Sequence, residues 1–332
     1  MTRIALPWLL TWALATTAFA AEGPGAPAIN TRVLGTRSIV ACEAATGACG
    51  IAVISFPPTS STVPYGKPGV VVASQMMPSV DAAQAIIAGV EAGASPQQAL
   101  SGVLAVDPIP FLRQVGVVSL GANGTVQVAQ YTGAATWPAH CTVAGATYAV
   151  QAAGQTSAAV CQAMAQGFEQ ATGSLALRLL AALKAGTAVG QDARGERSGT
   201  LRVWSAVSPL SVVTHLIADA SVTGKTQALE LLEGELYRYL GQVAVPDAAD
   251  LVTLDDATAR GLKKVLRDLG YYHGPVDGRW TTEAEGALLT FQAGNVFVPR
   301  GTVELNGERK IDGPLVQFML RAELGSLFAA PR

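Results

Sequence analysis

The chain is organised around Leu34-Gly35-Thr36-Arg37-Ser38-Ile39-Val40-Ala41, which leads through a turn into Gly50-Ile51-Ala52-Val53. Two runs rich in β-branched residues around a short polar segment predict a β-hairpin. Cutting the bond between Gly35 and Thr36 would give Thr36 a free α-amine beside its hydroxyl, the minimum equipment of a threonine nucleophile. Because the pKa of an α-amine is roughly 8, this amine could take the hydroxyl proton near neutral pH without a histidine. The alternative is an ordinary turn or the start of a strand.

The composition excludes several classes of protein. The 332 residues are 50% hydrophobic and 14% charged, which is too apolar for a disordered chain and allows two domains. The net charge is −2 and lysines and arginines do not cluster, so we expect no nucleic-acid partner. After residue 20 no uninterrupted apolar run reaches the roughly 18 residues of a membrane helix, so we expect no membrane span after signal removal.

Residues 1–20 have the features of a secretory signal peptide. Arg3 supplies a positive charge, residues 4–15 form an apolar run, and Ala18-Phe19-Ala20 is a small-x-small cleavage site. We expect cleavage before Ala21 and a bacterial protein located in the periplasm or secreted. Residues 21–35 lack a periodic apolar pattern and are typical of a propeptide or linker.

Four cysteines fit an oxidising compartment. Cys42 and Cys49 flank the predicted hairpin turn, where their side chains could face each other, so we predict a disulfide between them. Cys141 and Cys161 are then paired by elimination. Free buried thiols are the alternative. The chain has no C-x-x-C and its three histidines are scattered, so we predict neither a metal site nor a cofactor.

The remaining pattern alternates strands with pairs of helices. Helices are predicted to begin near Ser79 and at Ser95-Pro96, and to extend over residues 157–170 and 174–185, with Gly186 as the C′ residue of the last. Strands are predicted at residues 69–73, 113–118, 125–131, 199–204 and 212–218, with a type I′ turn at Asn123-Gly124. This order favours sheets covered by helical layers over an alternating parallel fold.

Several blocks of sequence occur together in a fixed order. They are Thr36-Arg37-Ser38-Ile39-Val40-Ala41, Arg113-Gln114-Val115-Gly116-Val117-Val118, Tyr131-Thr132-Gly133, Tyr148-Ala149-Val150-Gln151 and Asp192-Ala193-Arg194-Gly195-Glu196-Arg197-Ser198-Gly199. In this order and spacing, residues 36–240 resemble the uncharacterised family DUF1028, which is similar to the N-terminal nucleophile (Ntn) hydrolases. The resemblance implies an α+β fold with an αββα four-layer Ntn-type sandwich. It also implies amide-bond chemistry by Thr36 after autocleavage between Gly35 and Thr36.

The chain departs from the family pattern at two places. Arg37 replaces the usual phenylalanine, and Ala152-Ala153 stand where Gly-Asn is expected after Val150-Gln151. If that asparagine donated to an oxyanion, its loss would remove a donor worth about 3–4 kcal/mol of barrier. A degenerate member that keeps the fold for binding is therefore the alternative.

The block from Asp192 to Ser198 has two interpretations. Arg194 and Arg197 could hold a substrate carboxylate by bidentate hydrogen bonds, with Asp192 orienting one of them and Ser198 beside them. The alternative is a solvated turn in which Asp192 pairs with an arginine for little energy.

The C-terminal part has a different pattern. Residues 241–251 are predicted to be a linker, and Leu262, Val265, Leu266 and Leu269 form one helix face closed by Gly270. Thr282-Glu283-Ala284-Glu285 is predicted to be a capping box of a second helix, and a third is predicted over residues 312–327.

One motif in this part is Leu269-Gly270-Tyr271-Tyr272-His273-Gly274-Pro275-Val276-Asp277-Gly278-Arg279-Trp280. With the helix after it, this motif is similar to peptidoglycan-binding-like domains, over residues 252–328, and implies a small helical (three-helix) domain. Tyr271, Tyr272 and Trp280 could stack on sugar faces, or they could pack the small core with their polar ends wet.

Two functions from different classes follow. The first is an exported Ntn-type amidohydrolase with Thr36 as nucleophile, acting on a small amide substrate and associated with peptidoglycan. The alternative is a non-catalytic peptidoglycan-associated binding protein. A conventional serine hydrolase is disfavoured because the chain has no G-x-S-x-G elbow.

Overall fold

The computed structural model describes residues 35–58, 60, 63–137, 139–206, 215–242 and 247–321. The predicted signal peptide, the propeptide up to residue 34, part of the linker and the end of the predicted last helix lie outside these residues. In the described part, no helix is both long enough and apolar enough to span a membrane.

A six-stranded antiparallel sheet has the predicted hairpin at its centre. Its order is β10-β9-β2-β1-β8-β7. The strands are β1 Thr36–Glu43, β2 Ala48–Ser55, β7 Cys141–Ala144, β8 Tyr148–Ala153, β9 Ser198–Ser205 and β10 Leu216–Val222. Both predicted disulfides are confirmed: Cys42–Cys49 joins β1 to β2, and Cys141–Cys161 joins β7 to the helix after β8, with Cα separations of 4.1 and 5.9 Å.

A second antiparallel sheet has four strands in the order β3-β4-β5-β6. They are β3 Pro64–Lys67, β4 Val70–Met76, β5 Arg113–Leu120 and β6 Val126–Thr132. The predicted hairpin between β5 and β6 is confirmed, but its turn is not type I′. Only Gly124 has a positive φ, of 77°, whereas type I′ needs two such residues. The loop is longer than two residues, and Asn123 Oδ1 instead accepts from the Thr125 N–H at 3.1 Å.

Helices cover one face of each sheet. They are α1 Val80–Glu91 and α2 Pro96–Val106 on the second sheet, and α3 Val160–Gln170, α4 Leu175–Val189 and α5 Ala228–Gln242 on the six-stranded sheet. As predicted, Ser79 caps α1 and Ser95 forms a capping box in α2. Three buried apolar clusters lie between α1–α2 and the second sheet, between the two sheets, and between the six-stranded sheet and α3–α5.

The predicted end of α4 at Gly186 is wrong, because the helix continues to Val189. A Cβ at Gly186 would lie 2.7 Å from Met164 Cγ and 3.3 Å from Arg37 Nε. The glycine therefore provides space inside the helix for these two side chains, and it does not end the helix.

The C-terminal part contains the predicted helices α6 Asp256–Asp268, α7 Thr282–Gly294 and α8 Gly313–Leu320. It also contains a small sheet, in the order β11-β13-β12, that the three-helix prediction lacked: β11 Leu251–Thr253, β12 Val303–Leu305 and β13 Glu308–Asp312. The predicted capping box is wrong, since Thr281 is the N-cap and accepts from Ala284 N at 3.2 Å. Glu285 instead accepts from Trp280 Nε1 at 2.6 Å.

This C-terminal part packs directly on α5. Leu240 belongs to the same buried cluster as Phe297 and Phe318. Arg300 Nη2 donates to the Leu240 carbonyl at 2.8 Å, and Arg300 Nη1 pairs with the Asp312 carboxylate. The apolar core is thus continuous from the six-stranded sheet into the C-terminal helices.

Candidate functional site

Thr36 lies at the first position of β1 and is 4% exposed. Its partner across the hairpin is Ser55, and Thr36 Oγ1 lies 2.7 Å from Ser55 Oγ. Ser55 Oγ donates to the Gly35 carbonyl oxygen at 3.1 Å. Because a serine hydroxyl has one hydrogen, Thr36 must be the donor in the first bond. The three groups therefore form a directed chain from the Thr36 hydroxyl through Ser55 to the Gly35 carbonyl.

The Gly35 carbonyl oxygen has a second donor. The Phe56 N–H donates to it at 3.1 Å. A backbone N–H and a hydroxyl aimed at one oxygen are the kind of donor pair that stabilises negative charge developing there. The carbonyl between Gly35 and Thr36 is thus polarised from two sides.

Asp192 determines that residue 35 is a glycine. A Cβ at this position would lie 1.7 Å from Asp192 Oδ2 and 3.1 Å from the Gly154 carbonyl oxygen. A glycine is therefore needed here because the Asp192 carboxylate approaches its Cα closely and leaves no space for a side chain.

Asp192 is itself held by Arg194. The guanidinium Nε and Nη2 donate to Oδ1 and Oδ2 at 2.8 and 2.5 Å, and the Arg194 N–H donates to Oδ1 at 2.9 Å. The guanidinium also stacks on the Phe56 ring, 3.8 Å from its centroid. Asp192 was predicted to orient an arginine, and it does hold Arg194. The guanidinium of Arg194 donates to the Asp192 carboxylate.

The loop of residues 192–198 is joined to the end of β2. The Arg197 N–H donates to the Ser55 carbonyl at 2.9 Å, and Ser198 Oγ donates to the Pro57 carbonyl at 2.6 Å. Ser198 is fully buried, whereas Arg197 is exposed. Arg197 lines a cleft of about 480 Å³ together with Lys184, Thr187, Glu196 and Glu230, among others.

Arg37, on the opposite face of β1 from Thr36, is fully buried. Its guanidinium pairs with Glu196 and donates to Thr187 Oγ1 and, at 3.2 Å, to Gln155 Oε1. The pKa of Arg37 is lowered from its usual value because burial disfavours the charged form more than Glu196 favours it. The residue that replaces the usual phenylalanine is thus at the centre of a buried charged cluster.

A neutral network lies on the Thr36 face of β1. Ser38 Oγ donates to Gln75 Oε1 at 2.7 Å and accepts from Gln151 Nε2 at 2.8 Å. Gln75 Nε2 donates to Gln114 Oε1 at 2.7 Å. All four side chains are buried between the two sheets.

The predicted Ala152-Ala153 departure lies beside the site, since Ala153 pairs with Thr36 across β8 and β1. Two residues later, the buried Gln155 donates from Nε2 to the Ala153 carbonyl at 3.2 Å. Its Oε1 faces Arg37. Gln155 therefore provides a buried amide near the position where the family pattern has an asparagine.

Sequence reasoning missed Ser55, Phe56 and Gln155. A signal for Ser55 was present: a register that pairs Cys42 with Cys49 pairs Thr36 with Ser55, six residues further along each strand. No comparable signal identifies Gln155, because it lies after the end of β8 and contacts Arg37, 118 residues away in sequence.

The aromatic residues of the C-terminal motif differ in exposure. Tyr272 is 1% exposed and its hydroxyl donates to the Pro275 carbonyl at 3.1 Å. Tyr271 contacts Phe291 edge-on, with ring centroids 5.6 Å apart, and Trp280 is partly buried. The ring of Tyr272 belongs to the core, so only Tyr271 and Trp280 keep a partly exposed face.

The loop that carries this motif is built around Lys263, which is fully buried. Lys263 Nζ donates to Asp277 Oδ1 at 2.5 Å and to the Arg279 carbonyl at 2.8 Å. The hydrogen bond from Lys263 lowers the pKa of Asp277. Elsewhere, no group of three or more His, Cys, Asp or Glu side chains among the described residues is arranged to hold a metal ion.

Comparisons with known proteins agree with this architecture. The family model described as "Family of unknown function (DUF1028)" matches residues 36–229, and the one described as "Putative peptidoglycan binding domain" matches residues 245–319. The fold is similar to the crystal structure of protein SPO2555 from Silicibacter pomeroyi, a DUF1028 protein, with a TM-score of 0.55 and 24% identity over 65% of this chain and 89% of that chain. No curated protein matches the chain. Since the first match covers more than half of the chain, the protein belongs to the DUF1028 family and carries a peptidoglycan-binding-like domain after it.

Proposed function

We propose that the protein is an Ntn-type amidohydrolase that frees Thr36 by cutting its own chain after Gly35 and then hydrolyses a small amide. The observation that carries this proposal is the hydrogen-bond chain from the Thr36 hydroxyl through Ser55 to the Gly35 carbonyl, with the Phe56 N–H on the same oxygen. These contacts support the proposal because a hydroxyl, a path for its proton and two donors to one carbonyl oxygen lie around a single peptide bond.

The cut proceeds by an acyl shift. Thr36 Oγ1 attacks the Gly35 carbonyl carbon as its proton passes to Ser55, which gives its own proton to the Gly35 oxygen. The Phe56 N–H stabilises the charge that develops on that oxygen. The C–N bond to Thr36 then breaks, the oxygen gives its proton to the leaving nitrogen, and Gly35 is left as an ester on Thr36. Water hydrolyses the ester, which leaves a carboxylate on Gly35 and a free amine and hydroxyl on Thr36.

In turnover, the freed amine takes the proton of the Thr36 hydroxyl, which attacks the substrate carbonyl. The resulting acyl-enzyme ester is then hydrolysed by water. Of the loop residues predicted to bind substrate, Arg197 is the exposed cation beside the 480 Å³ cleft, so it is our candidate for holding a substrate carboxylate. Asp192, paired with Arg194, packs against Gly35. Ser198 holds the loop to the end of β2 through its hydrogen bond to the Pro57 carbonyl.

The layers support an αββα arrangement of the Ntn type. Each sheet has helices on one face, and an apolar cluster lies between the sheets. Two disulfides fit a location in the periplasm or outside the cell. The C-terminal domain would place the enzyme at peptidoglycan, with Tyr271 and Trp280 as its partly exposed aromatic residues.

The intact mass of protein exported by its own leader tests the proposal. We expect wild-type protein to begin at Thr36, Thr36→Ser to be cut as well, and Thr36→Ala to keep the preceding segment. Ser55→Ala removes one oxyanion donor and should slow the cut about 10²–10³-fold. Ser60→Ala is the matched control, because Ser60 makes a similar buried hydroxyl pair with Thr200, at 2.9 Å, and should be cut normally.

A non-catalytic peptidoglycan-associated binding protein is the second candidate. It is favoured by the low exposure of Thr36 and Ser55, 4% and 3%, which leaves little room for a substrate beside the hydroxyl in the uncut chain. A mature chain beginning at Ala21, unchanged by Thr36→Ala, would decide for this candidate, since an acylated amine cannot act as a base.

A further inference from the structure

Two residues lie against Gly35 and leave no room for a side chain on it. A Cβ on Gly35 would lie 1.7 Å from Asp192 Oδ2 and 3.1 Å from the Gly154 carbonyl oxygen. A Cβ on Gly154 would in turn lie 3.0 Å from the Gly35 Cα. Nonbonded heavy atoms pack best at about 3.5–4.0 Å. Any L side chain at position 35 would therefore overlap the Asp192 carboxylate.

The Asp192 carboxylate is held in place and does not give way easily. Its side chain is 3% exposed, and both oxygens accept from Arg194, with Nε at 2.8 Å from Oδ1 and Nη2 at 2.5 Å from Oδ2. The Arg194 guanidinium stacks on the Phe56 ring, 3.8 Å from its centroid. A bidentate ion pair of this kind has a defined geometry. Asp192 thus forms a rigid wall beside Gly35.

The backbone of Gly154 forms the second wall. This residue directly follows β8, and the last residue of β8, Ala153, pairs with Thr36 on β1. The pairing of the two strands therefore fixes the distance between Gly154 and Gly35. Unlike the end of a side chain, a backbone carbonyl at a strand end cannot rotate away by itself.

The carbonyl of a substrate has to take the place of the Gly35 carbonyl. In the proposed cut and in turnover, the same hydroxyl, that of Thr36, attacks a carbonyl carbon. Ser55 Oγ, at the end of β2, and the next residue's N–H, from Phe56, each lie 3.1 Å from the Gly35 oxygen. Donors fixed in this way stabilise an oxyanion at one position. The carbon next to the substrate carbonyl then occupies the place of the Gly35 Cα, which the cut has vacated.

We propose that Asp192 and Gly154 select amides whose acyl group carries no L side chain on the carbon next to the carbonyl, such as a glycyl or straight-chain acyl group. This inference rests on the proposed function, because it requires the cut and turnover to share one carbonyl position. Asp192 is a specificity-determining residue, and Arg194 is a positioning residue that holds its carboxylate. An L-alanyl group would place its methyl group at the Cβ position, 1.7 Å from Asp192 Oδ2.

The chain's own bond gives the first test, because residue 35 is the acyl group of the cut. Gly35→Ala adds the L methyl group and should slow the cut about 10–200-fold, the range that one such carbon group is worth in a fitted pocket. The double variant Gly35→Ala with Asp192→Ala removes the carboxylate that the methyl group meets and should recover most of the rate. The intact mass of exported protein, sampled over time after synthesis, follows the cut.

Two controls separate the shape of Asp192 from its charge and from the loss of a buried ion pair. Asp192→Asn keeps the volume of the side chain, so Gly35→Ala with Asp192→Asn should stay slow. Asp107 and Arg113 form another buried pair, with side-chain exposures of 5% and 10%. Gly35→Ala with Asp107→Ala should therefore stay slow as well.

The cut protein gives the second test, with p-nitrophenyl esters of N-acetylglycine and N-acetyl-L-alanine as probes. Attack by the Thr36 hydroxyl releases p-nitrophenolate and leaves the acyl group as an ester on Thr36. Intact mass follows this ester, and hydroxylamine removes it but leaves an amide on the α-amine in place. Relative to hydrolysis of the two esters in buffer, we expect the glycyl ester to react about 10–200-fold faster than the L-alanyl ester. Asp192→Ala should narrow this ratio, and Asp192→Asn should keep it.

The outcomes distinguish this inference from the proposed function. Wild-type protein that is never cut overturns both together. Protein that is cut but reacts equally with the two esters, or with neither, overturns the inference alone, as does a Gly35→Ala chain cut at the wild-type rate. Recovery of the double variant by Asp192→Asn or Asp107→Ala would also overturn it, because the volume of Asp192 would then not be the cause. If Asp192→Ala alone is not cut, the comparison of the two esters on wild-type protein decides.

Discussion

The two faces of strand β1 bury polar groups of opposite character. Thr36 and Ser38 point toward the second sheet and meet hydroxyls and amides, with Gln75 and Gln151 bonded directly to Ser38. Arg37, between them in sequence, points toward α4 and meets Glu196 in a buried ion pair. Adjacent residues on one strand thus belong to a neutral network and a charged one.

The neutral and the charged side chains of β1 differ in what their burial costs. Hydroxyls and amides can hold a nucleophile and pass a proton without bringing a charge into the apolar space between the sheets. A buried ion pair contributes little net stability compared with apolar side chains of similar size. The pair is therefore weak evidence for stability, although removing one partner alone would leave a buried charge without compensation.

The charged face should give the largest change in stability. Arg37→Met leaves the Glu196 carboxylate buried without its cation, which should lower the free energy of unfolding by about 3–5 kcal/mol. Urea denaturation measures this. The double variant Arg37→Met with Glu196→Gln should recover most of the loss. A single variant within about 1 kcal/mol of wild type would show that Glu196 finds solvent or another partner, and that the pair is not tightly coupled.

The neutral face should respond less strongly. Ser38→Ala removes the hydrogen bond to Gln75 Oε1 and the acceptor of Gln151 Nε2, both buried. We expect a loss of about 1–3 kcal/mol in the free energy of unfolding. Thr46→Ala, which removes an exposed hydrogen bond to Glu43, is the control and should change stability by less than about 0.5 kcal/mol. Equal effects of the two variants would contradict the view that the buried network contributes to stability.

The smallest expected change in stability comes from Gly186→Ala, which tests how closely Arg37 packs against α4. Gly186→Ala gains helix propensity but places a methyl group 2.7 Å from Met164 and 3.3 Å from Arg37, so a net loss of about 1–2 kcal/mol is expected. Gly102→Ala in α2 meets nothing within 4 Å and should stabilise by about 0.5–1 kcal/mol. Thermal unfolding of both variants gives the comparison. Stabilisation by Gly186→Ala would mean that Met164 and Arg37 move away from the new methyl group at little cost.

Local patterns predicted the elements that depend on neighbours in sequence. The hairpin, the Cys42–Cys49 disulfide, the caps at Ser79 and Ser95 and the helix that ends before Gly270 follow from short-range spacing and cap chemistry. The Cys141–Cys161 disulfide was predicted only by elimination. The strand β3 was not predicted, because four residues are too few to show a period. The helix α5 was also missed, and it packs on β9 and β10 through contacts that local sequence does not show.

The sequence by itself determined that Thr36 begins a strand behind a glycine, and that the cysteines hold the hairpin in register. Only the tertiary structure decided what surrounds that threonine. Asp192 reaches Gly35, and Glu196 reaches Arg37, from a loop more than 150 residues away, and the position of that loop depends on the pairing of β9 with β2. Likewise, Gly186, which the local sequence predicted to end a helix, instead leaves space for Met164 and Arg37, side chains that come from other elements of the fold.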